Sequence, residues 1–171
     1  MRILTTLTRP APRPAPSGAL RSYGVAAAGV VASAVAGSLA IDPDDAWYRS
    51  LEKPPWQPPP WAFGAVWTPL YISIAGAGGR ALQQAPSGER RRWGKALAVN
   101  LVLNAGFGWS FFKVRTPYAG LAVTAATALS SWDLVRRAAT IDRAASAALI
   151  PYAAWCTFAT ALNADIARRN T

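Results

Sequence analysis

The sequence predicts an all-α fold, an integral membrane bundle of five transmembrane helices. Three observations predict it. Apolar segments recur at about 23–41, 61–82, 96–112, 118–134 and 144–162 along the 171 residues. Only 15% of residues are charged while 52% are hydrophobic, against about 25% charged in an ordinary soluble domain. The cations fall between the apolar segments, as they do in membrane loops.

Each segment runs for about 17–22 residues, or about 26–33 Å as a helix. That matches a hydrocarbon core about 30 Å thick. The segments lack two-residue alternation and are rich in Ala and Leu, which disfavours strands. A soluble bundle of hydrophobic helices is the alternative. It is disfavoured because the segments are apolar on all faces.

Taken in order, residues 1–21 hold four prolines, four arginines and no acid. They read as a disordered basic cytoplasmic tail before a helical domain over 22–170. An organelle transit peptide and a cleaved secretory signal are the other readings. The first helix carries Gly29, Ser33 and Gly37 at four-residue spacing, which lets two backbones approach closely, within one chain or between two. Residues 42–60 form the one long connection. It holds Asp42, Asp44, Asp45, Glu52 and six prolines, and a loop of that length in a compact bundle is usually functional. The second connection contains Glu89, Arg90, Arg91 and Arg92, the third is Lys113–Pro117, and the fourth holds Arg136, Arg137, Asp142 and Arg143.

Orientation follows from the cations. With the N-terminus inside, twelve Lys and Arg lie inside and six outside. The positive-inside rule then makes the N-terminus cytoplasmic and the C-terminus external. Without residues 1–21 the margin is eight against six. The membrane is read as bacterial, with an organelle membrane as the alternative.

Composition excludes several chemistries. The net charge of +10 is not gathered on a soluble module, so nucleic acid is not an expected partner. There is no His, and Met1 is the sole Met, so axial ligation of haem iron by His or internal Met is unavailable. The single Cys156 excludes an intrachain disulfide. No triad, metal cluster or carboxylate pair marks a catalytic site, so no catalytic or metal-binding residue is assigned.

Polar residues inside spans should face protein. Asn100 and Asn104 share a helix face that continues through Phe107 and Phe111. Thr124, Thr127 and Ser131 share another, and Tyr152, Trp155, Ala159 and Asn163 a third. Trp67 and Tyr71 share a fourth. Converging, these faces enclose a pocket with aromatic walls and a few amides and hydroxyls, suited to a flat, largely apolar ligand. Core packing is the alternative for any one of them. For Trp47, Trp56 and Trp61 the interfacial aromatic belt is another.

The stretch Trp47-Tyr48, Leu51, Lys53-Pro54, Trp56, Pro58-Pro59, Trp61, Phe63-Gly64, Val66-Trp67-Thr68 and Leu70-Tyr71 resembles the signature of the TspO/MBR family. That family includes the bacterial tryptophan-rich sensory proteins and the mitochondrial translocator protein, once called the peripheral benzodiazepine receptor. The run from Asn100 to Phe112 is similar to the family's third helix and that from Pro151 to Asn163 to its fifth. The resemblance covers about residues 23–170.

It implies a five-helix membrane bundle whose first loop lids a pocket, with homodimers among bacterial members. It implies tetrapyrroles as ligands, protoporphyrin IX or haem, with no required cofactor. By motif position Trp67 and Trp155 match the family's pocket tryptophans. Tyr48, Tyr71, Asn104 and Ala159 match other lining positions, and Phe107 joins them on the Asn104 face. Light- and oxygen-dependent porphyrin breakdown and transport of porphyrins or other small hydrophobic ligands are the alternative functions. Two departures stand out. The Tyr of the mammalian cholesterol-recognition pattern is missing after Leu162, and the acid that many bacterial members carry near Thr124 is absent.

Overall fold

The computed structural model describes residues 16–171; residues 1–15, most of the expected tail, lie outside the described residues. Among the described residues there are helices and no strands. They are α1 (Pro16–Ser38), the short α2 (Ala46–Ser50), α3 (Pro60–Gln84), α4 (Ser87–Gly108), α5 (Pro117–Ile141) and α6 (Arg143–Arg169). A π-helical turn over Trp109–Lys113 extends α4. The all-α class holds, and five long helices stand where the five apolar segments were read.

Proline marks the starts. Pro60 and Pro117 open α3 and α5 at positions where a missing N–H costs nothing. Pro86 stands just before α4. Asp45 accepts from Trp47 N and Tyr48 N and so starts α2. Asp142 ends α5 and caps α6, accepting from Ala145 N at 2.7 Å.

The helices outrun their apolar segments. Pro16–Arg21, read as tail, is the first part of α1. Glu89–Arg92, read as a connection, lies in the first turns of α4, and Arg136 and Arg137 lie on α5. The connections shrink to residues 85–86 and to Asp142. The reason is that Arg, Lys and Glu are good helix formers. An apolar run marks where side chains leave water, not where backbone hydrogen bonding stops. Among the described residues, two helices are long and apolar enough to span a membrane, Gly18–Ser38 at mean hydropathy 1.4 and Arg143–Arg169 at 1.3.

The five long helices form a closed ring, in the order α1, α3, α6, α5, α4 and back to α1. The stripe on α1 is used within the chain. Ser33 Oγ donates to Leu101 O at 2.8 Å. A Cβ on Gly37 would lie 3.3 Å from Ala105 Cα, and one on Gly108 would lie 2.5 Å from Gly37 O. Backbones so close leave no room for a methyl group. Farther down, Tyr23 of α1 fills the space beside Gly79 of α3.

Two apolar clusters fill the ring. One, around Ile74, Trp93, Leu97, Leu134, Leu149 and Tyr152, lies toward the end where α1 begins. The other joins Phe111, Phe112, Leu162 and Ile166 to Trp47, Tyr48, Leu51 and Phe63 at the opposite end, beneath the long connection. The site lies between them.

Candidate functional site: an aromatic cavity beneath the first loop

All five long helices and the 39–59 connection contribute to a cavity of about 630 Å³. Small-molecule sites span about 300–1,000 Å³. All seven predicted site residues line it: Tyr48, Trp67, Tyr71, Asn104, Phe107, Trp155 and Ala159. Its wall is mostly apolar, and no Lys, Arg, Asp or Glu is among the lining residues.

The aromatic wall is braced by ring contacts. Trp67 stacks on Tyr71 with centroids 5.1 Å apart and planes at 26°. Trp155 stacks on Phe158 at 5.1 Å and meets the edge of Phe63 at 6.0 Å. Pairs of this kind are worth about 0.5–1.5 kcal/mol beyond their buried area. They fix two indoles, one from α3 and one from α6, at the wall of one cavity.

A polar network holds the floor. Tyr71 Oη donates to Asn104 Oδ1 at 3.2 Å, and Asn104 Nδ2 donates to Tyr152 Oη at 3.4 Å. Tyr152 Oη donates to Asn100 Oδ1 at 2.8 Å, and Asn100 Nδ2 donates to Ser131 Oγ at 3.1 Å. Ser131 and Cys156 Sγ are 3.6 Å apart. With Ser33 on α1 the network touches every long helix. Where no water competes, each lost partner would leave a costly unpaired group.

The roof is the connection containing α2. Tyr48 packs on Phe112 at 5.1 Å and Trp47 on the edge of Phe111 at 5.3 Å. Both phenylalanines sit on the π turn, a geometry that recurs at functional sites. Gln57 Nε2 donates to Tyr48 Oη at 3.3 Å, while Gln57 Oε1 is buried without a partner. Lys53 Nζ lies 4.5 Å above the Tyr48 ring and donates to Tyr48 O at 2.6 Å.

Outside, the roof is fastened at two places. Arg115 pairs with Asp45 at 2.9 Å. Burial raises the Asp45 carboxyl's pKa, but the hydrogen bond from Arg115 and those from Tyr48 N and Trp47 N outweigh it and hold it below its ordinary value. On the α6 side, Trp56 Nε1 donates to Asp165 at 3.1 Å and Arg169 pairs with Glu52 at 3.0 Å. The Asn170 side chain bonds both Glu52 N and Glu52 O at 2.9 Å.

Several expectations shift in detail. Tyr152 is fully buried behind the wall, and Ser131 and Asn100 are buried with it. Asn163 is buried beyond the cavity and bonds Ala159 O. Phe111 supports the roof from the second cluster. Thr124 and Thr127 do line the cavity. Lining residues with no mark in the sequence include Val35 and Ser38 on α1 and Gln57 near the roof. The Gly64 and Phe63 pair lay inside the recognised motif, which was the one signal available for them.

Comparison with known proteins agrees with this architecture. The chain is 34% identical over 137 residues to the tryptophan-rich protein TspO of Chlorobaculum tepidum, covering 79% of this chain and 87% of that one. It is 33% identical over 143 residues to a tryptophan-rich sensory protein of Cereibacter sphaeroides, covering 81% and 85%. It is 33% identical over 127 residues to the translocator protein of Ovis aries, covering 68% and 70%. The family model described as TspO/MBR matches residues 24–169, and the chain belongs to the TspO/MBR family of membrane proteins.

Proposed function

We propose that the chain crosses the membrane five times and binds a flat, largely apolar ligand of the tetrapyrrole class, as a sensor-type receptor. Family membership supports a membrane sensor or translocator role. Every long helix turns large apolar side chains outward, among them Val31, Ile72, Val102, Leu129 and Ile150. On a monomer in water so much apolar surface is a liability, whereas in lipid it is solvated. Charge supports the orientation. Among the described residues the end where α1 begins carries nine Lys and Arg and three acids, and the roof end six and five. The basic end, with the N-terminus, faces the cytoplasm.

The single observation that carries the ligand assignment is the pair Trp67 and Trp155, from α3 and α6, lining one uncharged cavity. Indole faces offer stacking area to a planar macrocycle, and Asn104 offers a hydrogen bond to a polar substituent. No His and no internal Met is present to bind a metal axially, which supports a macrocycle held chiefly by packing and hydrogen bonds. The test is titration of protoporphyrin into purified protein, read by fluorescence. Saturable binding that weakens at least about tenfold in the Trp67→Ala, Trp155→Ala double variant is expected. Absence of saturation discards the assignment.

A second reading is favoured by the same two indoles. On this reading they donate electrons to an excited porphyrin, giving breakdown that needs light and oxygen. A new absorbing product under illumination, lost when either Trp is replaced by Phe, would select that reading over binding alone.

A further inference from the structure

The roof is closed by bonds, yet the cavity is open at one side. At the end of α1, Val35 and Ser38, and just past it Ile41 and Pro43, line the cavity and are exposed on the outer surface, Val35 at 54%. Along α3, Pro60, Gly64 and Thr68 do the same. A residue that both lines a cavity and is exposed outside marks an opening. The lining residues of α4, α5 and α6 show no such row; they are buried or half-buried.

The opening has a cause in the sequence. At the basic end α1 and α3 touch closely, where Tyr23 fills the space beside Gly79 and Ala26 lies against Gly78. At the roof end α1 leans on α4 instead, through Gly37, Gly108 and Ser33, and Trp109 Nε1 donates to Ala36 O at 2.9 Å. The two helices therefore diverge toward the roof. Gly64 adds no side chain to fill the gap, and a Cβ built on it meets nothing within 4 Å.

We propose that this slit between α1 and α3 is the portal through which the ligand enters and leaves, directly from the acyl-chain phase of the bilayer. The proposal rests on the reading of the chain as a membrane-spanning receptor for a flat apolar ligand. Three observations carry it beyond that reading. The surface around the slit is apolar, with Val31, Leu39, Trp61 and Ile72 exposed, Leu39 and Ile72 at 70%. The outer face of the roof instead carries Asp42, Asp44, Arg49 and Glu52, which belong in water. And the roof is tied to both the 114–116 connection and the end of α6, while at the slit the Thr68 hydroxyl is spent within α3, donating to Gly64 O at 2.9 Å. The ligand is thus a solute of the membrane, and its effective concentration is set by partition into lipid.

The experiment uses the full chain in liposomes, with protoporphyrin supplied already dissolved in the bilayer, and reads quenching of tryptophan fluorescence with time. One variant, Gly64→Trp, plugs the slit from α3; a second, Val35→Trp, plugs it from α1. A third joins the roof to α6 by cross-linking Glu52→Cys to Asn170→Cys. Both plugs are expected to slow association and dissociation about tenfold or more, a change within the range seen among variants of one site. Because both positions also line the cavity, affinity is measured alongside: a plugged portal slows dissociation as well as association, whereas lost binding contacts speed dissociation. The cross-linked roof is expected to exchange ligand at the parent rate. Unchanged exchange in both plugged variants, or exchange stopped by the roof cross-link, overturns the portal. Failure of the parent protein to bind protoporphyrin at all overturns the receptor reading itself.

Discussion

Tyr152 and Asn100 meet at the centre of the helix ring, the phenol donating to the amide oxygen over 2.8 Å with both side chains fully buried. Around them Asn104, Ser131 and Tyr71 complete a network that forms the floor of the ligand cavity. Removing one member therefore tests the bundle and the site together.

Asn100→Ala takes away the acceptor for Tyr152 and the donor for Ser131. Buried groups left unpaired cost about 1–3 kcal/mol. The expected loss of thermal stability in detergent is of that order. Tyr152→Phe removes the hydroxyl alone and takes a partner from both Asn100 Oδ1 and Asn104 Nδ2, so a loss of the same order is expected. Negligible loss in both variants would contradict the network.

Two glycines should respond in opposite directions to the same change. Gly108→Ala drives a methyl group to 2.5 Å from Gly37 O and forces α1 and α4 apart. Overpacking of this kind costs about 1–3 kcal/mol. At Gly76 of α3 a Cβ meets nothing within 4 Å. Gly76→Ala should stabilise by up to about 1 kcal/mol through helix propensity. Thermal melts of both variants check the pair.

Asp142 makes stability depend on acid. Its hydrogen bond from Arg80 at 2.8 Å and its cap to Ala145 N hold its pKa at about 2, below the ordinary 3.8. A depressed carboxylate favours the folded state, which binds fewer protons than the unfolded chain between those values. The contribution is complete above pH about 4 and is lost as pH falls through about 2. Melting temperature against pH should show this step, and Asp142→Asn should flatten it. Asn caps a helix about as well as Asp, so at neutral pH the same variant loses chiefly the partly exposed ion pair with Arg80 and should cost about 1 kcal/mol or less.

Asp45 should govern the roof locally. It caps α2 and pairs with Arg115, which sits at φ 55° in the left-handed region and turns the chain toward it. Asp45→Ala should raise amide hydrogen exchange across 46–51, because the cap on α2 is lost. The global melt should barely move, because α2 contributes no buried residue. A large global loss would mean that the roof is part of the cooperative core.

Much of this protein could be read before its structure was known. Apolar length is a local property, and it located five helices. It located their ends poorly. Glu89–Arg92 and Arg136–Arg137 prolong α4 and α5 into polar territory, because helical hydrogen bonding continues where lipophilicity stops. Helical spacing marked one face on each of four helices, since polar or aromatic residues stood out there against Ala and Leu. Those faces, with the tryptophan-rich motif, supplied Trp67, Tyr71, Asn104, Phe107, Trp155 and Ala159, all of which line one cavity.

The sequence alone determined the helical class, the membrane-like charge pattern and the indoles of the site. Only the tertiary structure decided which helices are neighbours, that the stripe on α1 seats α4, and that α1 and α3 part near the roof. The physical reason lies in α1. Its stripe of Gly29, Ser33 and Gly37 permits a close approach but does not name the partner, which only packing decides. A gap between two helices is made by contacts elsewhere, here Tyr23 with Gly79 and Gly37 with Gly108. These residues are far apart in the chain and meet only in the folded molecule.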